Sequence, residues 1–208
     1  MTISYAITVC NEIVEIQRLL SFLLENKRKE DEIVVVFDSN NGSKAVEDYL
    51  RAQNVEKTHF RWYPFEFKGH FADLKNKLTS FCNGDYIFQI DADEIPHKNL
   101  LETIPEILTN NPGIDVLRVP RVNTVEGLTS EHIQKWGWSI NDYGWVNWPD
   151  YQWRIYRNTP EIKWINKVHE RLDGYKVFSN IPPTDELALY HPKTIERQEK
   201  QNEYYDTL

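Results

Sequence analysis

The sequence predicts an α/β protein with a mostly parallel β-sheet flanked by helices, followed by a smaller loop-rich region. Two observations lead to this prediction. Through the first 113 residues, short runs of β-branched, aromatic and other apolar residues alternate with segments whose apolar residues recur at helical spacing. After residue 113, a further strand-like run is not followed by any helical period. Because alternating strands and helices are typical of parallel sheets joined by right-handed crossovers, we expect one such sheet in a single domain.

Five apolar runs predict the strands of this sheet. They cover residues 3–9, 32–37, 58–67, 85–90 and 115–122. Helical spacing predicts helices at 13–27, 44–50, 71–82 and 100–108. Asn11 and Ser43 are suitable N-terminal caps for the first two helices. Gly84 is a suitable stop for the third, and Pro105 could kink the fourth.

The second region is rich in aromatic residues. Between residues 136 and 153 there are five Trp and two Tyr among Gly, Asn, Pro and Asp. We interpret this span as loop-rich with some strand. Short strands are expected at 153–156 and 162–168 with a turn at 158–160, and the polar tail at 195–208 is expected to be helical.

Composition and charge favour a soluble protein of the cytoplasm. The 208 residues suffice for one domain with a sizeable core. A net charge of -8 disfavours a broad nucleic-acid-binding face, so nucleic acid is not an expected partner. The sequence has neither a signal-peptide pattern nor an apolar run near the roughly 20 residues of a membrane span. Cys10 and Cys82 are too few for a disulfide framework, and we expect both to be buried free thiols.

An acidic cluster follows the predicted central strand directly. Asp91, Asp93 and Glu94 stand within four residues of one another at the end of the 85–90 run. Ligands bind beyond the carboxyl ends of strands in open α/β sheets, and closely spaced carboxylates offer the hard oxygen ligands that Mg²⁺ or Mn²⁺ prefers. The alternative is a helix N-terminus, which also favours Asp and Glu.

Polar loops after two other strands should reach the same edge of the sheet. The segment 10–12, Cys-Asn-Glu, follows the first strand, and Asp38 follows the second. Amides and carboxylates at such an edge could bind the base and ribose of a nucleotide, while a divalent cation carries its diphosphate. Taken singly, Asn11 could be only a helix cap and Asp38 only a turn residue.

Two further features have both a structural and a functional interpretation. His169 ends the predicted 162–168 strand and is either a structural polar residue or a ligand for metal or diphosphate. The aromatic span is either a satellite of the core or a platform for a sugar acceptor, because apolar faces of sugars pack on aromatic rings.

Several segments together resemble the inverting glycosyltransferases of family 2. These are ISYAITVCNE at the start, EIVVVFDSN at the second strand, FADLKNKLTSFCNGDYIFQIDADE in the centre, and RIYRN followed by IKWINKVHERL. The tail KTIERQEKQNEYYD is similar to the tails of some small bacterial and phage-encoded members. The resemblance covers roughly residues 2 to 175 and implies the GT-A fold, with a Rossmann-like sheet.

The resemblance also implies roles for particular residues. The nucleotide-sugar donor would contact Cys10, Asn11, Glu12, Asp38, Asp73, Asn76, Asp91 and Ala92. The metal, Mn²⁺ or Mg²⁺, would be held by Asp93 and His169, with Asp91 nearby or bound through water. From the aromatic span itself, rather than from the resemblance, we expect a saccharide or other hydroxyl acceptor to pack on Trp138, Trp145 and Trp148. Residues 1–113 would then form the nucleotide-sugar-binding half, residues 114–194 the acceptor-binding half, and residues 195–208 a C-terminal tail.

The general base is assigned by position. Many family members carry an acidic pair before the arginine strand, where this chain has Pro149-Asp150. Asp150 is therefore our first choice for the base that takes the acceptor proton, with Asp142 and Glu170 as alternatives. The expected reaction is transfer of a sugar from a donor, expected to be UDP-linked, to an acceptor hydroxyl with inversion.

Three competing functions remain as alternatives. A sugar nucleotidyltransferase would have a Gly-rich basic loop after the first strand, which the segment 10–13 lacks. A haloacid-dehalogenase-like phosphatase would have its Asp-x-Asp motif on the first strand rather than at Asp91. A non-catalytic carbohydrate-binding protein on the same fold would need no nucleotide.

Overall fold

The computed structural model describes residues 1–55 and 60–205. Its helices are α1 (Ile13–Asn26), α2 (Lys44–Val55), α3 (Phe71–Thr79), α4 (Lys98–Asn110), α5 (Ser130–Trp136) and α6 (Ile195–Tyr205). Its strands are β1 (Ile3–Val9), β2 (Glu32–Asp38), β3 (Phe60–Phe65), β4 (Tyr86–Asp91), β5 (Ile95–Pro96), β6 (Val116–Glu126), β7 (Val146–Arg157), β8 (Lys163–Ile165), β9 (Arg171–Asp173), β10 (Phe178–Asn180) and β11 (Leu189–Thr194).

Within the described residues, one sheet of nine strands organises the chain. Its order is β3-β2-β1-β4-β7-β6-β11-β5, with β10 paired to β6. The pairs β1–β2, β1–β4, β2–β3 and β6–β11 are parallel, whereas β7 runs antiparallel to both β4 and β6. The carboxyl ends of β1, β2, β4, β6 and β11 therefore reach the same edge as the amino end of β7. This single edge collects side chains from both predicted halves of the chain.

The sheet is covered on both faces. Alternate residues of β1 point to opposite sides, so Ile3, Tyr5 and Ile7 pack with α1, α2 and α4, while Ala6 packs with α3 and β8. Burial on both faces explains why the central strands are almost continuously apolar. The core lies beneath the polar edge and holds it in place.

The predicted α/β sheet with flanking helices is confirmed. The first two strands and the first helix lie within one residue of their predicted bounds. In α4, Pro105 is accommodated inside the helix, which continues to Asn110. The third helix ends at Thr79, earlier than the predicted stop before Gly84. The first two residues of the predicted 58–67 strand and the last three of the predicted tail helix lie outside the described residues.

The second region contains more regular structure than its sequence predicts. A single long strand, β7, begins inside the aromatic span at Val146 and includes the predicted 153–156 strand. The predicted 162–168 strand is correct only for β8, because Asn166 and His169 have positive φ angles of 77° and 52° that turn the chain. Helix α5 and strand β11 were not predicted.

Two other sequence-based expectations concern thiols and membranes. Cys10 and Cys82 are both free, as expected, but Cys10 is only half-buried because it lies at the polar edge of the sheet. No helix among residues 1–55 and 60–205 combines the length and apolar character required to cross a membrane.

Candidate active site

A cavity of about 770 Å³ opens at the polar edge of the sheet. Its wall is formed by the ends of β1, β2, β4, β6 and β11, by the first part of β7, by the loop between β8 and β9, and by residues of α3 and α6. The sequence-predicted residues that line it are Cys10, Asn11, Glu12, Asp38, Asp91, Ala92, Asp93, Trp138, Asp150, His169 and Glu170. The sheet thus brings together the three polar loops, the histidine and two of the three candidate bases.

The loops after β1 and β2 are tied by their own carboxylates. Glu12 accepts hydrogen bonds from the backbone N–H groups of Cys10 and Asn11, at 2.9 and 3.0 Å. Asp38 accepts hydrogen bonds from the backbone N–H groups of Asn40 and Asn41. Burial, together with the charges of Asp38 and Glu12, raises the pKa of the Cys10 thiol to about 12. The thiol is therefore protonated near neutral pH and is unsuited to nucleophilic catalysis.

Asp91 is held by cations and hydrogen-bond donors at the end of β4. Its Oδ2 lies 2.7 Å from the Arg154 guanidinium, and its Oδ1 accepts hydrogen bonds from Thr8 and Gln89. Although burial raises the pKa of Asp91, the charges of Arg154 and Lys75 outweigh it and hold the pKa well below its usual range. Asp91 is thus an ionised carboxylate whose oxygens already have protein partners.

Asp93 follows β4, and its side chain lies largely buried in the cavity wall. Its Oδ2 is 3.2 Å from His191 Nε2 and 3.3 Å from the Arg197 guanidinium. Burial raises the pKa of Asp93, but the hydrogen bond and charge of His191 outweigh this and lower it. Among the described residues, its Oδ1 has no hydrogen-bond partner, which leaves one oxygen for a ligand.

A buried network of charges forms the floor of the cavity. Glu94 is fully buried and accepts hydrogen bonds from both Arg121 and Arg154, at 2.9 and 2.6 Å. Arg121 also donates to Asp150, so the two arginines and three carboxylates form one chain of ion pairs. Each buried charge has an opposite partner, which offsets the cost of removing it from water.

The candidate bases differ in their surroundings. Asp150 lines the cavity and accepts hydrogen bonds from Arg121, Asn123 and Gln152. Burial raises the pKa of Asp150, but the Arg121 charge and these hydrogen bonds outweigh it and lower the pKa. Glu170 also lines the cavity, 2.5 Å from the Lys75 ammonium. Asp142 is exposed in the loop before β7 and lies outside the cavity lining.

Four other predicted residues lie outside the cavity lining. Asp73 is exposed in the first turn of α3, and Asn76 bonds through its amide to the backbone of Trp164. Trp145 and Trp148 pack edge to face with centroids 4.9 Å apart. Their predicted roles in donor and acceptor binding would require contacts beyond this cavity.

The residues that sequence reasoning missed come chiefly from β6 and β11. Arg121 and Asn123 of β6 and His191 and Lys193 of β11 all line the cavity, and Asn123 is the register partner of His191. His191 Nδ1 lies 2.8 Å from Asn123 Oδ1. The available signal was spacing, because residues two apart on a strand share a face. It was missed because β11 was not predicted.

The candidate metal ligands could hold a divalent cation whose remaining coordination positions are filled by substrate. Among the described residues, no three His, Cys, Asp or Glu side chains could enclose a metal ion by themselves. Mg²⁺ is usually bound through one or two carboxylates, water and substrate phosphates, and Mn²⁺ also favours oxygen ligands. Asp93 and His169 line one cavity and offer a carboxylate oxygen and an imidazole. A cation bound there would need the oxygens of a diphosphate to fill its coordination.

Comparison with known proteins decides the family. The model of glycosyl transferase family 2 matches residues 4–180. The chain belongs to this family. The predicted resemblance is thereby confirmed, and the matched range ends before β11 and α6.

Solved structures with a similar fold support the same architecture. A crystal structure of S. aureus TarS in complex with UDP-GlcNAc is 17% identical, with a TM-score of 0.65, and the match covers 93% of this chain and 59% of that one. Another TarS structure is 15% identical, with a TM-score of 0.61, covering 97% of this chain and 38% of that one. At these identities the likeness establishes the GT-A fold alone. No curated protein sequence matches the chain significantly.

Proposed function

We propose that this chain is a metal-dependent glycosyltransferase that moves a sugar from a UDP-linked donor to an acceptor hydroxyl with inversion. One observation carries the proposal: Asn11, Asp38 and Asp93 lie at or just beyond the carboxyl ends of three parallel strands and line one cavity with Asp150 of β7. A family 2 chain needs such a place for nucleotide, diphosphate and acceptor together. The preference for UDP comes from the fold likeness to TarS, whose structure contains UDP-GlcNAc.

The donor would lie along the edge of the sheet. The base and ribose would contact the loops after β1 and β2, where Asn11 and Asp38 offer polar groups. The diphosphate would lie at the end of β4, beside Asp93 and His169. A bound Mn²⁺ or Mg²⁺ would neutralise the charge of the leaving nucleoside diphosphate. Asp91, paired with Arg154, would keep the end of β4 in position for these contacts.

The transfer would be a single in-line displacement. The acceptor oxygen forms a bond to the anomeric carbon while the bond from that carbon to the phosphate oxygen breaks and its electron pair leaves with the diphosphate. Asp150 takes the proton of the acceptor hydroxyl. Its hydrogen bonds from Arg121 and Asn123 fix the orientation of the carboxylate, at the cost of a lower pKa and a weaker base. Glu170, already paired with Lys75, is the alternative within the cavity.

Calorimetric titration of the full chain with UDP, GDP and CDP tests the proposal. Each nucleotide is titrated with Mn²⁺ and again with EDTA. We expect UDP to bind with Mn²⁺ about tenfold or more tightly than with EDTA, and more tightly than GDP or CDP. Tighter binding of GDP or CDP would change the assigned donor nucleotide but would still support a glycosyltransferase. No nucleotide binding under either condition would contradict the proposal and favour a non-catalytic carbohydrate-binding protein.

A further inference from the structure

The last two described elements, β11 and α6, form a C-terminal arm (Leu189–Tyr205) that lies beyond the residues matched by the family model. Its strand joins the sheet beside β6, and its helix contacts both β11 and β6. His191, Lys193, Gln198 and Gln201 of the arm line the donor cavity. A segment outside the family match thus supplies part of the wall of the proposed active site.

Lys193 differs from the other cationic residues that line the cavity. Lys75, Arg121 and Arg154 each lie within 4.0 Å of two carboxylates. The ammonium of Lys193 instead donates a hydrogen bond to the neutral side-chain amide of Gln201. Among residues 1–55 and 60–205, no carboxylate lies within ion-pair distance of it. A partly buried cation in a cavity with only a neutral partner is suited to binding an anionic ligand.

Burial lowers the pKa of Lys193, while the nearby Asp93 carboxylate opposes this shift. The charges of Arg121 and Arg197 lower the pKa further, and the charge of Glu94 opposes them. Two guanidinium groups therefore act on Lys193 together with two carboxylates. An anion bound to the Lys193 ammonium would also be attracted by these two guanidinium groups.

Arg197 connects the arm to the acidic loops. Its guanidinium lies 2.7 Å from Glu15, 3.4 Å from Glu12 and 3.3 Å from Asp93. The side chain is about one-third exposed, so these ion pairs are inexpensive to exchange. A cation bound at Asp93 would compete with the guanidinium for that carboxylate. Arg197 would keep its ion pairs with Glu15 and Glu12 and would have an N–H group available for an anion beside the cation. The donor diphosphate, which would complete the coordination of the cation, is an anion that could bind this guanidinium.

We propose that Lys193, which lines the donor cavity, and Arg197, whose guanidinium contacts Asp93 beside it, form a diphosphate-binding pair contributed by the C-terminal arm. This inference rests on the proposed function, because it places the diphosphate of the donor beside Asp93. Lys193 supplies a compact charge from the sheet, and Arg197 supplies a planar guanidinium that can bind two phosphate oxygens at once. Together they would bind the leaving group and stabilise the negative charge that develops on it.

Binding of inorganic pyrophosphate tests the pair independently of the base. The full chain and the variants Lys193→Met and Arg197→Gln are titrated with pyrophosphate in the presence of Mg²⁺. Lys200→Met is the matched control, since Lys200 is an exposed residue of α6, the helix that carries Arg197, and lies outside the cavity lining. Each test variant is expected to bind pyrophosphate about tenfold more weakly, because each loses a charge-assisted hydrogen bond. The control is expected to match the wild-type chain.

Two comparisons separate the possible outcomes. Lys193→Arg retains the charge and is expected to restore part of the binding, and the Tm of every variant is measured to exclude unfolding. Equal pyrophosphate affinity of wild type and both folded test variants, or no binding by wild type, would overturn the inference. Loss of pyrophosphate binding in the variants while wild type binds no nucleotide would support the pair and contradict the proposed donor. UDP affinity that is unchanged in both variants would be consistent with the proposed transferase activity but would contradict diphosphate binding by Lys193 and Arg197.

Discussion

His191 Nε2 lies 3.2 Å from Oδ2 of Asp93, although 98 positions separate the two residues in the chain. The contact forms because β11 runs parallel to β6 and ends at the same edge of the sheet as β4. The contact joins the loop after β4, which carries Asp93, to the C-terminal arm, which carries His191. Substitutions at Asp93 therefore remove a contact between distant parts of the chain, so the Tm of each Asp93 variant is measured beside its ligand affinity.

Replacing Asp93 with Asn should remove the metal dependence of nucleotide binding. The substitution keeps the size of the side chain but removes the charge that we propose attracts the cation. We expect the ratio of UDP affinities with Mn²⁺ and with EDTA to fall from about tenfold or more to near one, which is a loss of about 1.4 kcal/mol. Calorimetry measures both affinities on each protein.

Asp48→Asn is the control for this measurement. Asp48 is an exposed residue of α2 that pairs with Lys44, away from the cavity. The control should retain the metal effect in full. An undiminished metal effect in Asp93→Asn would reject Asp93 as the metal ligand.

Replacing Asp150 with Asn should reduce turnover while sparing donor binding. Asn cannot take up the acceptor proton, and general-base catalysis typically contributes about 10²–10⁴-fold to the rate. We expect kcat to fall by about 100-fold or more with an unchanged affinity for UDP. Steady-state transfer or donor-hydrolysis assays provide kcat, and calorimetry provides the affinity.

Glu170→Gln provides the comparison. Glu170 lines the same cavity but is paired with Lys75. A larger loss of kcat in Glu170→Gln than in Asp150→Asn would transfer the role of base to Glu170.

The sequence predicts the first half of the fold well because its signals are local. Each of β1, β2 and β4 is a short apolar run with polar residues at or directly after its end, and a parallel sheet aligns those ends at one edge. The positions of Asn11, Asp38 and Asp93 in one cavity follow from that rule. Strand β11 is harder to recognise, because its six residues include Pro192 and do not form an apolar run. The contributions of His191 and Lys193 were missed for this reason.

The floor of the cavity could not be predicted for a different reason. Glu94 pairs with Arg121 and Arg154, which lie 27 and 60 positions away. Ion pairs across a sheet depend on strand order and register, and β7 is inserted between β4 and β6 out of chain order. No local pattern encodes that insertion. The burial of Glu94 is thus a consequence of the strand order, which brings Arg121 and Arg154 next to it.

Replacing Arg154 with Met should destabilise the fold strongly. The guanidinium is 3% exposed and pairs with both Asp91 and Glu94, so its removal leaves two carboxylates without their shared partner. Breaking a buried ion pair by removing one partner costs about 3–5 kcal/mol. Urea unfolding at pH 7 should show a reduction of the free energy of unfolding of that size.

Arg51→Met is the matched control for charge removal. Arg51 pairs with Glu47 on the exposed face of α2, and its side chain is 61% exposed. Such a pair contributes about 0.3–0.5 kcal/mol. A similar small effect for Arg154→Met would show that the buried network does not stabilise the fold.

Stability at low pH should depend on Glu32. Its carboxylate accepts hydrogen bonds from Ser4, from Arg61 and from the backbone N–H of Asn83, linking the starts of β1 and β2 to β3 and to the turn before β4. Burial raises the pKa of Glu32, but these hydrogen bonds outweigh it, so the pKa in the folded state lies below the usual 4.5. A depressed pKa stabilises the fold above the unfolded-state pKa, and this contribution is lost as the pH falls through the folded-state value.

Replacing Glu32 with Gln should therefore destabilise the protein at neutral pH and have less effect in acid. At pH 7 we expect the free energy of unfolding to fall by about 1.5 kcal/mol, because hydrogen bonds to a charged group are lost. The difference between wild type and variant should shrink as the pH falls below 4.5, since wild-type Glu32 then becomes neutral as well. Urea unfolding at several pH values between about 3 and 7 measures this difference. A difference that stays constant over that range would mean that the effect of the variant does not arise from the carboxylate charge.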